Sequence, residues 1–158
     1  MATATKTVTI NAAFLQEIKQ DNERLYDLLH EIWMLCSVEH AQSAEPERFS
    51  ELLADLRDQL ALHFTLEEVL GYFNDPADVE PDVCQRAEWL RSQHVNLYRD
   101  AVSLADDATA LVYPGTEAFT FASLLDRVRR FHAAIQLHES RESDLICEVH
   151  HRGGSGEG

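Results

Sequence analysis

The chain has 158 residues, 45% of them hydrophobic, and a formal net charge of −15 from 13 basic and 28 acidic groups. That length suits one domain with a real core, and the composition excludes a disordered or fibrous chain. The charge excludes nucleic acid and anionic membrane surfaces as main partners, because both recruit basic patches.

The densest basic group, Arg127, Arg129 and Arg130, reads as a solvated helix face. No apolar run approaches the roughly 18 residues of a membrane span, and no signal pattern opens the sequence. Cys36, Cys84 and Cys147 are widely separated and form neither a disulfide framework nor a Cys-x-x-Cys site, so a reducing cytoplasm is expected.

Residues 1–10 read as a loose polar arm, and 150–158, rich in Gly, as a loose tail. Between them lie three breaks, near 43–46, 74–82 and 106–115, where Pro, Gly and Asn-Asp clusters interrupt apolar periodicity of 3.6 residues. Four helices are expected, over 11–37, 47–73, 82–107 and 117–149. Their lengths and short links predict an all-α, up-down antiparallel four-helix bundle spanning 11–149.

Advancing 100° per residue places the stripes. Helix 1 should bury Leu15, Ile18, Leu25, Leu29, Ile32 and Cys36, with Asn22 inside the stripe. Helix 2 should bury Phe49, Leu53, Leu56, Leu60 and Leu70, with His63 and Glu67 mid-face and Glu68 pointing out. Helix 3 should bury Val83, Ala87, Leu90, Leu97 and Ala101 around a central His94. Helix 4 should bury Leu124, Val128, Phe131, Ile135 and Val149, and both His138 and Glu142 share that stripe. His40, His150 and His151 fall in loops or tail, and His132 falls off the stripe and is expected at the surface.

Chance supplies His-x-x-x-Glu pairs in a chain with eight His and 28 acidic residues. Location is what informs. A carboxylate in an apolar core costs several kcal/mol unless paired, coordinated or protonated. One such pair reads most simply as a Glu bonded to the His one turn back. Two pairs on different helices, with a third core His, fit a first-row transition ion better.

The halves also echo each other. Asn22-x-x-Leu25-Tyr26 matches His94-x-x-Leu97-Tyr98, and His63-x-x-x-Glu67 matches His138-x-x-x-Glu142. Two carboxylates bridging two ions, with imidazoles capping each end, would satisfy every buried polar group. That is a dinuclear site. Ferritin-like spacing fails, since Glu-x-x-His occurs only at Glu148 and His151. Signals for nucleophilic catalysis and for Gly-rich phosphate loops are absent.

The segments LHFTLEE, RSQHVNLY and QLHESRESDLI, around His63, His94 and His138, resemble those of hemerythrin-like (HHE cation-binding) domains. The resemblance covers nearly the whole chain. It implies a hemerythrin-like bundle in which Glu67 and Glu142 bridge two irons, His63 binds one, and His94 with His138 the other. It further implies a protein that binds or reacts with oxygen, peroxide or nitric oxide, or senses iron or redox state.

The alternative is a metal-stabilised or metal-free bundle acting as a protein-interaction or sensory adaptor module. The chain departs from the family pattern twice. Asn22 stands where helix 1 usually carries a His, and Tyr98 where the oxygen carriers have a second helix-3 His. Asn22 is left as an oxygen ligand, a hydrogen bonder to a water on the metal, or the mark of an open position, with His30 as the substitute imidazole. Tyr26 and Tyr98 are expected to hydrogen-bond beside the ions.

Overall fold

A computed structural model describes residues 12–37, 45–70, 80–113 and 120–154, with side chains for 22–37, 45–69, 80–113 and 120–149. Four helices follow in order: α1 (Ala12–Leu35), α2 (Pro46–Leu70), α3 (Pro81–Val112) and α4 (Phe121–Gly154). Among the described residues there is no strand, and no helix is long and apolar enough to cross a membrane.

The starts follow local chemistry. Pro81 occupies the first turn of α3, where its missing N–H costs nothing. Thr120 caps α4, its Oγ1 accepting the Ser123 amide at 3.1 Å.

Polar contacts between helix ends fix an antiparallel order. Arg48 at the start of α2 donates to Glu31 near the end of α1 at 2.6 Å. Ser50 meets Thr109 near the end of α3 at 3.1 Å. Arg127 at the start of α4 donates to Asp107 near the end of α3 at 2.5 Å. Arg86 at the start of α3 donates to Glu148 near the end of α4. The four-helix bundle is therefore as expected. Its packing is uneven: α1–α2, α2–α3 and α3–α4 are the substantial seams, and α1 touches α4 sparingly.

Two helices outrun the expected bounds. α3 continues through Asp106 and Asp107 to Val112. Leu104, Ala105 and Ala108 extend its apolar stripe, and the Asp107 carboxylate is neutralised by Arg127. α4 continues to Gly154, five residues into the segment read as tail. Extending an existing helix gains one hydrogen bond per residue fixed. The arm over 1–10, residues 155–158 and His40 lie outside the described residues, as do the side chains of Leu15, Ile18, Leu70, His150 and His151.

The other expected core residues are buried. They form two apolar clusters. The larger contains Leu25, Leu29 and Ile32 of α1 with Cys36 just past its end, and apolar residues from Phe49 to Phe64 of α2, Leu97 to Ala108 of α3 and Leu124 to Ile135 of α4. The smaller joins Val83, Ala87 and Leu90 to Leu145 and Val149. Between them α3 contributes His94, and α4 contributes His138, Glu139 and Glu142, a polar layer enclosed by apolar layers on both sides.

His132 is a correction: it is buried, not at the surface. Trp33 of α1 stacks on its ring at 4.7 Å between centroids. A helix wheel judges a residue by its own helix, whereas His132 is covered by another. Arg127 and Arg129 are likewise half-buried and engaged, Arg129 donating to the Cys36 carbonyl at 2.5 Å.

Candidate metal centre

Six ionisable side chains meet in the polar layer: His63, Glu67, His94, His138, Glu139 and Glu142, each no more than 6% exposed. On α2 and α4 the i, i+4 spacing stacks each Glu over its His. His63 Nε2 lies 2.6 Å from Glu67 Oε1, and His138 Nε2 lies 3.0 Å from Glu142 Oε1. His94 Nε2 on α3 faces both carboxylates, 2.9 Å from Glu67 Oε2 and 3.5 Å from Glu142 Oε1.

The distances from His94 and His138 are short, yet their Nε2 atoms are not aimed as hydrogen bonds. Glu67 Oε2, His94 Nε2 and His138 Nε2 are sealed from solvent and have no directed hydrogen-bond partner. Buried polar atoms left this way cost about 1–3 kcal/mol each, more when charged. Donors converging on a common point, rather than on one another, suit an ion.

Two overlapping groups have ligand atoms mutually within 4.8 Å: Glu67, His94, His138 and Glu142; and His63, Glu67, Glu139 and Glu142. Glu67 and Glu142 belong to both. The five residues expected as ligands from the sequence are thus brought together.

Glu139 was missed. It neighbours His138 in sequence and lies 100° away on the α4 wheel, so the α4 stripe did not claim it. Its Oε1 reaches across the bundle to His63 Nε2 at 2.9 Å. The available signal was its i, i+3 relation to Glu142, which puts both carboxylates on one face. Burial holds the Glu139 carboxyl above the usual range, with Glu142 and Glu67 pushing the same way and His63 opposing.

Gln93 and Phe64 orient the imidazoles. His138 Nδ1 meets Gln93 Oε1 at 2.8 Å. An amide oxygen only accepts, so Nδ1 carries a proton, and in the neutral ring Nε2 then presents a lone pair toward the cluster. Phe64 stacks on His94 at 4.2 Å and 10°, closing the apolar wall. Glu68 is half-exposed as expected, but its Oε1 also comes within 3.5 Å of His94 Nδ1. For His94, burial disfavours the charge, but the close carboxylates of Glu142 and Glu67 outweigh it and raise the pKa to about 9.

The remaining candidates sit at the margins. Asn22 is half-buried, and its Oδ1 is shut from solvent without a hydrogen-bond donor. Tyr26 is 50% and Tyr98 39% exposed. Among the described residues neither phenol hydrogen-bonds to the cluster, because both lie at its rim. Tyr26 still feels it: its pKa is raised by burial and by Glu139, against His63.

His30 is exposed and belongs to neither donor group. It lines a cleft of about 530 Å³ between α1 and α4 with Tyr26, Trp33, Arg129 and His132.

No family model, curated protein or solved structure matches the chain. Imidazole and carboxylate without thiolate is a borderline-to-hard set, suited to iron, manganese or zinc.

Proposed function

We propose that this chain is a hemerythrin-like metal-binding bundle. It would hold two iron ions in its core and bind or react with a small oxidant (oxygen, peroxide or nitric oxide) or report iron or redox state. The observation that carries the reading is the pair of overlapping four-donor groups sharing Glu67 and Glu142. The unpartnered donor atoms support it, since an ion would satisfy them together.

In this reading Glu67 and Glu142 would be shared by both ions, His63 would serve one, and His94 with His138 would serve the other. Iron would supply redox chemistry toward the small ligand. The chain holds the donors apart from water, and Gln93 keeps the His138 Nδ1 protonated so that Nε2 is available.

The test is metal analysis and the visible spectrum of the protein reconstituted anaerobically with ferrous iron. Two irons per chain are expected, with near-ultraviolet charge-transfer absorption after oxidation. Less than about 0.2 ion per chain, far below the stoichiometry of a built site, would defeat the proposal.

A further inference from the structure

The two ends of the cluster are made of different donors. One end has two imidazoles, His94 and His138, beside the shared Glu67 and Glu142. The other has a single imidazole, His63, and three carboxylates, Glu67, Glu139 and Glu142. All six side chains are buried, so neither difference is diluted by solvent.

Glu139 is placed as a ligand rather than as a plain hydrogen bonder. His63 Nε2 has Glu67 Oε1 at 2.6 Å and Glu139 Oε1 at 2.9 Å. A ring nitrogen carries at most one proton, which cannot be directed well at both oxygens. An ion in the proton's place serves the nitrogen and both oxygens at once. Glu139 thereby fills the coordination that α1, with Asn22 in the stripe, does not supply as an imidazole.

We infer that the two positions select different ions. The end bounded by His63 and Glu139 is an oxygen-rich site that accepts manganese(II), while the His94–His138 end selects iron(II) or zinc(II). This deepens the metal-binding reading and rests on it.

Imidazole favours zinc and iron, whereas carboxylate oxygen favours manganese. Zinc outcompetes manganese at most protein sites, so the signature is a difference in selectivity between the ends. With zinc limiting, zinc goes where the imidazoles are. Manganese is left the other end.

The full chain is stripped of metal, given one equivalent of zinc(II) and excess manganese(II), and desalted. Metal content and the manganese electron paramagnetic resonance spectrum are then read. One zinc and one manganese per chain are expected. Glu139→Gln should weaken manganese retention at least tenfold and leave zinc in place. Glu139→His should instead shift that end toward zinc, giving two zinc per chain when zinc is in excess and manganese competes.

His138→Ala should lose the tight zinc and keep manganese. Circular dichroism checks that each variant is helical, and the partition in the unmodified chain decides even where a variant fails to fold. Manganese and zinc displacing each other from one position, or Glu139→Gln retaining manganese as the parent does, overturns the inference while leaving metal binding intact. A chain that takes up neither zinc, manganese nor iron overturns the inference and the metal-binding reading together.

Discussion

Glu142→Gln should lower stability in the presence of metal and not in its absence. The substitution keeps volume and removes one of three carboxylates crowded with three imidazoles in the core. In chelator it gives up only undirected approaches, to His138 at 3.0 Å and to His94 at 3.5 Å. Against that it relieves the crowding of three buried carboxylates, and Glu67 at 2.9 Å remains as the partner of His94, so the cost of leaving a buried charge uncompensated is not incurred. The metal-free variant should therefore melt no lower than the parent.

With metal, Glu142 belongs to both donor groups, so both ions lose a ligand. An ion present at 100 times its dissociation constant stabilises by about 2.7 kcal/mol. Losing two such contributions removes roughly 5 kcal/mol, or about 10–20 °C in Tm for a domain of this size. Thermal melts followed by circular dichroism, in iron and in chelator, read both values. An equal drop in the two conditions would mean that Glu142 is a structural hydrogen bonder, and the coordination argument would be refuted.

Other expectations follow from single contacts. Gln93→Leu removes the acceptor for His138 Nδ1 and should weaken metal binding about 10–100-fold, read by chelator competition; an unchanged affinity would show that the amide does not orient the ring. His94, with a pKa raised to about 9 in the metal-free chain, contributes stability that is fully present below its ordinary value near 6.5 and is lost as pH rises through 9. Metal must displace that proton, so an unbuffered titration should release more acid at pH 7 than at pH 10; equal release would contradict the assignment. The His132 pKa is lowered by burial. The fold thus favours its neutral form, and stability falls as pH drops below about 6.5, where the unfolded chain takes up the proton. His132→Phe, which preserves the stack on Trp33, should flatten that acid-side slope in pH-dependent melts, and an unchanged slope would place the sensitivity elsewhere.

What the sequence made legible was whatever one helix decides alone. Stripe periodicity located His63, Glu67, His94, His138 and Glu142 in the core, because a polar residue at an apolar register is visible without its neighbours. Relations between helices were not visible in this way. Glu139 matters because α2 lies diagonally across from α4 and presents His63 to it. Gln93 is half-buried beside an imidazole on another helix, and His132 is buried only because α1 carries Trp33 over it. The break expected at Asp106 and Asp107 failed similarly, since Arg127 of α4 offsets a charge that composition alone reads as a stop.

Every donor in the two groups comes from α2, α3 or α4, and α1 supplies a wall that meets α4 only lightly. If the core holds metal as proposed, the three donor helices would set how tightly an ion is held. The cleft beside α1 brings Tyr26 between open solvent and the field of Glu139 and His63, whereas a second depression is lined by His94 itself; passage of small molecules past α1 is the expectation put to the test. Trimming Trp33, which lines that cleft, should alter exchange rates while leaving equilibrium occupancy nearly constant, so the two properties can be tuned independently.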